Sequence, residues 1–288
     1  MFEAELIMGT TASGKSDYAV RKARGFHGIV LSIDSVSVYR QLNIGTAKPP
    51  SEILREIPHF CINIADIDKP FSAMDFRREA LKVIEYAQKE EVPLFITAGS
   101  FFYLKALLTE PLFLPQTNPE MENNLQSRID KFGLGSLYEE LKVVDPKMAL
   151  KIHPNDRYRI VRALAVYLQT GFPPSSFIKN NTPALSRPTW LGGVTVLSTD
   201  GLDLEDRIKK RTHRMLKDGL VDEVESLLKN DYQESARPLQ SVGYREVVDF
   251  LKGRISKGEL PDLIAKSTLK LAKRQRTWIR NGFSSILH

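Results

Sequence analysis

Along the first hundred residues, short apolar runs alternate with longer stretches in which apolar residues return every three or four positions. Residues 3–8, residues 28–34 (Gly-Ile-Val-Leu-Ser-Ile-Asp) and Leu94–Ala98 are the short runs. Runs of that length, bounded by turn residues, predict strands buried on both faces. Between them the helical spacing begins at Asp17. It returns over residues 72–91, where Ala73, Phe76, Ala80, Val83, Ile84 and Ala87 share one face. Gly99-Ser100 leads into a further predicted helix at Phe101–Leu108. Strands alternating with helices across short turns predict a parallel α/β sheet with helices on both faces.

The alternation stops near Leu112. From there to Arg187 only helical patterns occur, broken by turn residues. Thr117-Asn118-Pro119-Glu120 has a capping Asn and a Pro in the first turn, the signal of a helix start. His153-Pro154-Asn155-Asp156 breaks the pattern before a helix over residues 157–169, and Gly171-Phe172-Pro173-Pro174 ends it. Residues 190–197 restore a strand, and helices follow to Gly282. The pattern predicts a core domain of residues 1–112 and 188–288 with a mostly helical domain, 113–187, inserted in it.

Composition narrows the class. The chain has 288 residues, 42% apolar and 26% charged, which describes a folded globular protein. One cysteine, Cys61, excludes an internal disulfide framework and a multi-cysteine zinc site. The longest uncharged apolar stretch, residues 92–104, is too short to span a bilayer, so no membrane partner is expected. The N-terminus has neither a signal-peptide nor a transit-peptide pattern, and a reducing, cytoplasmic setting is expected. The net charge of +6 is uneven. Residues 1–112 hold 13 basic and 14 acidic side chains, whereas residues 249–288 hold 9 basic and 3 acidic. The later part therefore offers a positive surface to a polyanion.

The chemistry enters at Gly9-Thr10-Thr11-Ala12-Ser13-Gly14-Lys15-Ser16, which matches the phosphate loop G-x-x-x-x-G-K-[ST] between a strand and a helix. Backbone N–H groups of such a loop wrap a diphosphate, and the helix N-terminus adds a positive dipole end. Lys15 supplies a point charge, and the Ser16 hydroxyl is placed for Mg2+. The loop alone does not name a reaction, because a nucleotide kinase would use it for ATP. The strand-ending Asp34, or Asp200 after the strand at 190–197, would then be a carboxylate beside the metal.

Further residues are more specific. Asp34-Ser35-Val36-Ser37-Val38-Tyr39-Arg40 and Gly45-Thr46-Ala47-Lys48-Pro49 occur with Pro58-His59, Phe71-Ser72-Ala73-Met74-Asp75-Phe76 and His153-Pro154-Asn155-Asp156. Arg207-Ile208-Lys209-Lys210-Arg211 and Gln240-Ser241-Val242-Gly243-Tyr244-Arg245-Glu246 follow. In this order, over nearly the whole chain, they resemble the tRNA dimethylallyltransferases (tRNA isopentenyltransferases). The resemblance implies transfer of a dimethylallyl group from dimethylallyl diphosphate to N6 of adenosine 37 beside the tRNA anticodon. It implies that the phosphate loop holds that diphosphate, with Thr11 bonding one of its oxygens. It also implies tRNA contacts at Asp34, Ser35, Val36, Ser37 and Ser100. Others are implied at Tyr158, Arg159, Ile160, Val161 and Arg162, and at Gly243, Tyr244 and Arg245. Mg2+ is the expected cofactor, and a monomer the expected state.

The residue chemistry agrees with such a transfer. An adenine N6 amine is a weak nucleophile, and a carboxylate such as Asp34 can take its proton as the C–N bond forms. The amine must be flipped out of its stack to reach a buried carboxylate. Lys15, the loop N–H groups and Mg2+ would neutralise charge developing on the leaving diphosphate. Arg207 and Arg211, one helical turn apart, are the expected cationic pair on the diphosphate side. Lys266, Lys270, Lys273, Arg274, Arg276 and Arg280 form a second expected basic face. Two departures from the family pattern carry expectations. Phe101 replaces a glycine and is expected to narrow the prenyl channel. The arginine usual soon after Pro119-Glu120 is absent, the first arginine there being Arg128.

Overall fold

A computed structural model describes residues 3–109, 114–115, 117–178, 185, 187–199 and 203–287. Five strands form one parallel sheet: β1 (Ala4–Gly9), β2 (Ile29–Ile33), β3 (His59–Phe60), β4 (Leu94–Ala98) and β5 (Leu191–Leu197), in the order β3-β2-β4-β1-β5. The register sets Leu6 beside Ile96 and Val194, and Leu31 beside Ile96 and Phe60. Alternate side chains of each strand point to opposite faces. Leu6, Met8, Leu31, Ile33, Leu94 and Ile96 enter the larger core, whereas Ile7, Val30 and Phe95 meet Ala19 and Ala23 of α1 (Lys15–Phe26) on the other face. Both faces are thus covered, which is why the central strands carry unbroken apolar runs.

Against the larger core pack α3 (Ala73–Lys89), capped by Ser72 and Asp75, and α4 (Phe101–Leu108). A short helix, α2 (Ser51–Glu56), precedes β3. The two-residue β3 has too little pattern to be read from sequence, and it pairs only at Val30↔His59 and Leu31↔Phe60. The described residues divide into two compact units, one from 1–109 and 185–288, the other from 110–184.

The second unit has its own core. It holds α5 (Pro119–Val144), α6 (Pro146–Ala149) and α7 (Arg157–Thr170). Asn118 caps α5 by accepting from the Glu120 N–H, and Pro119 takes the first helical position. Non-helical Gly133 breaks α5, and Arg128 on one side of the break pairs with Glu140 on the other. Leu125, Leu137, Leu141, Met148, Ile160 and Leu164 fill the interior. Among the described residues this unit contains helices and no strand.

In the first unit the chain after β5 runs through α8 (Leu204–Lys217), α9 (Leu220–Lys229), α10 (Tyr244–Leu251), α11 (Leu260–Gly282) and α12 (Ser284–Leu287). Helices α8 and α11 meet through Ile208, Ala265 and Ala272, with Ala12 of the phosphate loop against them. That contact brings the basic faces of two distant helices to the C-terminal edge of the sheet. No helix among the described residues is long and apolar enough to cross a membrane.

Candidate active site

Open α/β sheets bind ligands beyond the carboxyl ends of their strands. Here β1 ends at Gly9, and the chain turns through residues 10–14 into α1. Gly14 caps the helix with φ 91°, a left-handed conformation that favours glycine, and Ala12 is also left-handed at φ 60°. Such alternation gathers successive N–H groups into an anion-binding concavity at a helix N-terminus. Thr11, Ala12, Gly14, Lys15 and Ser16 line an open cleft of about 2000 Å³.

Three members of the expected diphosphate set instead shape the loop from behind. Gly9 and Thr10 are buried, and the Thr10 hydroxyl donates to the Thr11 carbonyl at 3.1 Å. The Ser13 hydroxyl is buried with no partner among the described residues. Thr11 borders the cleft, but its N–H is already donated to Gln275 Oε1 at 2.7 Å. Only its hydroxyl remains for a ligand.

Lys15 donates to the Thr10 carbonyl at 2.7 Å. Burial lowers its pKa to about 8, against the opposing pull of the Asp34 carboxylate, and the Arg211 cation adds to the lowering. Burial also lowers Arg211, again opposed by Asp34. A Cβ placed on Gly14 would lie 3.9 Å from Arg207 Nη2, so Arg207 stands over the loop. Lys209 and Lys210 are paired with Glu205 and Asp206, each at 2.7 Å. Lys15, Arg207 and Arg211 have no salt-bridge carboxylate among the described residues, which leaves three positive charges facing one cleft.

Asp34 follows β2. Its Oδ1 accepts from the N–H groups of Val36 and Ser37, at 2.8 and 2.9 Å, which folds the loop back on itself. Its Oδ2 receives no hydrogen bond among the described residues. A Cβ on Gly99 would lie 3.5 Å from that oxygen. The Ser100 hydroxyl accepts from the Ser35 N–H at 2.8 Å and donates to the Ser35 hydroxyl at 3.0 Å. Gly99 and Ser100 N–H groups both donate to the Ile33 carbonyl at 3.1 Å. The Asp34 loop is therefore fixed to the end of β4. Because β4 separates β2 from β1, strand spacing sets the end of β2 about 10 Å from the end of β1.

A narrower cavity of about 60 Å³ lies beside Asp34, lined by residues that include Ser16, Ser37, Lys48, His59 and Thr97. Ser37 is 5% exposed, so it faces this cavity and not an outer surface. Lys48 donates to the Tyr39 carbonyl and to the Asn43 and Asn63 side chains, and burial lowers it to about 8. His59 bonds the Ile57 carbonyl, and Asn155 donates its N–H to His153, structural parts for both rings. Cys61 is buried and burial raises its thiol to about 12, consistent with packing.

Several expected RNA contacts lie in a core or hold other partners. Ile160 is fully buried in the helical unit's core, and Val161 packs partly against it, because both belong to the apolar face of α7. Arg162 holds the Thr117 hydroxyl and donates to the Pro115 carbonyl at 2.8 Å, so it braces its own unit. Tyr244 is fully buried, with its hydroxyl on Glu223 at 2.6 Å, and the buried Gly243 donates its N–H to Glu246. Neither is surface. Tyr158, Arg159 and Arg245 are exposed. Phe101 does not narrow the cleft: it is 4% exposed and packs on Phe283 with ring centres 5.5 Å apart. Arg128 cannot replace the missing arginine, being paired with Glu140. Asp200 lies outside the described residues.

Gln275, Thr97 and Glu223 carry no motif signal in the sequence, and Lys48 stands out there only as part of Gly45-Thr46-Ala47-Lys48-Pro49. Gln275 had no signal at all, being one amide in a basic helix. Glu223 accepts the Asn43 and Ile44 N–H groups as well as the Tyr244 hydroxyl, and so holds the Gly45-Thr46-Ala47-Lys48 loop.

Residues 37–282 match the family model described as IPP transferase. The tRNA dimethylallyltransferase 2 of Geotalea uraniireducens (strain Rf4) is 37% identical over 279 residues, covering 96% of this chain and 89% of the relative. Among solved structures, the full-length tRNA isopentenylpyrophosphate transferase of Bacillus halodurans aligns with a TM-score of 0.65 at 30% identity, over 98% of this chain and 88% of the other. A eukaryotic dimethylallyltransferase described as acting on tRNA aligns with a TM-score of 0.77 at 25% identity, over 97% and 70%.

Proposed function

The chain belongs to the IPP transferase family, and from that premise we propose that it moves a dimethylallyl group from dimethylallyl diphosphate to N6 of adenosine 37 in tRNA, releasing diphosphate. The observation that carries the assignment to this site is that Lys15, Arg207 and Arg211 face the same cleft as the free oxygen of Asp34. One end is built for an anion and the other for a proton.

The N6 lone pair attacks the terminal allylic carbon. The carbon–oxygen bond breaks and its electron pair leaves on the diphosphate oxygen. The N6 proton passes to Asp34 Oδ2, while Oδ1 stays held by two N–H groups. Reacting atoms about 3 Å apart and a hydrogen bond of about 3 Å fit in series within the strand-set separation of about 10 Å. Lys15 and the loop N–H groups stabilise the departing charge. Thr11 contributes its hydroxyl. The cationic faces of α8 and α11 grip the RNA backbone. Ser35, Val36 and Ser100 border the flipped base, and Tyr158, Arg159 and Arg245 provide further RNA contacts.

The donor set fits Mg2+. The described residues hold no cluster of three or more His, Cys, Asp or Glu side chains. Mg2+ commonly takes one or two protein oxygens and completes its shell with phosphate and water. The Ser16 hydroxyl, which lines the small cavity, would hold it through one protein oxygen. When bound it would neutralise charge on the diphosphate. A cytoplasmic monomer completes this reading.

Mass spectrometry of nucleosides from tRNA incubated with the protein, Mg2+ and dimethylallyl diphosphate tests it. A dimethylallylated adenosine formed without ATP is the expected product, and strict ATP dependence would point to a kinase instead. Asp34→Asn should lower kcat by about 10²–10⁴-fold, with binding of both substrates little changed. Turnover by that variant within threefold of wild type would remove Asp34 as the proton acceptor.

A further inference from the structure

Among the charged residues of the last long helix sits a polar, uncharged side chain that is almost fully enclosed. Gln275, between Arg274 and Arg276, is 6% exposed. Its Oε1 accepts the Thr11 N–H at 2.7 Å, and its Nε2 donates to the Gly99 carbonyl at 2.8 Å. The amide cannot be turned round, because an N–H only donates and a carbonyl only accepts. A buried amide that lost either partner would leave polar groups unsatisfied, at a cost comparable to a lost hydrogen bond or more.

The two partners belong to the two halves of the site. Thr11 lies in the phosphate loop, between β1 and α1. Gly99 follows β4 and stands against Asp34. The point where a Gly99 Cβ would lie is 3.5 Å from Asp34 Oδ2 and 4.0 Å from Gln275 Nε2. One side chain, 264 residues from Thr11 and 176 from Gly99 along the chain, therefore links the anion end to the proton-accepting end. The sheet fixes the strands themselves, but the loops beyond them need a separate tie.

We propose that Gln275 is a positioning residue for the transfer step, setting the spacing between the phosphate loop and the Asp34 carboxylate. This rests on the transferase reading above. Each substrate binds mainly to its own half, so loosening the tie leaves binding in place and misaligns the reacting atoms. Displacement of about 1 Å can cost on the order of 10²-fold in rate.

Two variants of similar size test the proposal. Gln275→Met removes both hydrogen bonds. Its kcat should fall by about 10–10²-fold, while KM for dimethylallyl diphosphate and the Kd for inorganic diphosphate stay within threefold. Gln275→Glu can accept from Thr11 when ionised but cannot donate to Gly99. Once protonated it can do both. Its rate relative to wild type at the same pH should therefore rise as the pH is lowered, a signature that loss of packing alone would not give. The Glu variant also keeps the test open if the Met variant fails to fold. A Met variant with kcat within threefold of wild type overturns the proposal. So does a loss confined to KM or diphosphate affinity, or a Glu-to-wild-type ratio that is flat with pH. A wild-type protein that prenylates no tRNA would instead overturn the underlying reading, and this proposal with it.

Discussion

Lys15 has its charge poised by its surroundings. Burial holds its pKa near 8 in the ligand-free site, and a bound diphosphate raises it. Below that pH the ammonium is already formed and binding requires no proton. Above it, binding must take one up, so affinity weakens with rising pH by up to tenfold per unit. Calorimetry with inorganic diphosphate between pH 7 and 9 should show this loss together with proton uptake in alkaline buffer, and Lys15→Met should abolish both. At Gly99, an added methyl would meet Asp34 Oδ2 at 3.5 Å, an ordinary van der Waals contact. Gly99→Ala should therefore leave the melting temperature within a few degrees of wild type while lowering kcat at least tenfold, since it occupies the approach to the carboxylate. A fully active Ala variant would show that the amine approaches from another side.

At the scale of the element, helix α7 separates two jobs that its sequence places side by side. Ile160 is in the core and Arg159 is in solvent, 66% exposed at the side chain. Ile160→Ala should destabilise the helical unit by about 2–5 kcal/mol, read by denaturant unfolding, and should affect RNA only through that loss. Arg159→Glu should leave stability within about 0.5 kcal/mol, as an exposed change generally does, and weaken tRNA binding in a filter or anisotropy assay. The Arg159–Asp156 ion pair at 3.4 Å is too exposed to alter that ordering. Helix α8 makes the same division: Ile208 and Thr212 face inward, while Arg207 and Arg211 face the cleft.

For the molecule as a whole, the uneven charge is gathered at one cleft only because α8 and α11 pack together beside the phosphate loop. Lys210, Arg214, Lys270, Lys273 and Arg274 all border the cleft. Neutralising Lys270, Lys273 and Arg274 together should reduce the slope of log affinity against log salt by about 2–3, at about 0.7–0.9 for each phosphate left without its cation. The same variant should bind inorganic diphosphate within threefold of wild type, since Lys15, Arg207 and Arg211 remain. An unchanged salt slope would move the RNA to another face.

Local pattern determined much of this protein. The apolar runs marked four of the five strands, because strands buried on both faces carry an unbroken signal. The loop from Gly9 to Ser16 was legible because a phosphate loop requires particular residue types at fixed spacing, and Asp34 stood out because it ends an apolar strand. Burial was not legible where a residue stood inside a recognisable motif: Ile160 and Tyr244 read as contacts, yet each turns its side chain into a core. Nor could spacing along the chain show that Gln275 joins Thr11 to Gly99, or that Lys48 and Glu223 hold one loop. Those partners meet because strand order and helix packing bring remote segments to one edge of the sheet. The sequence alone determined four of the strands, the phosphate loop and the basic helices; the tertiary structure decided which polar groups remain free to act, because pairing and burial depend on neighbours far away in the chain.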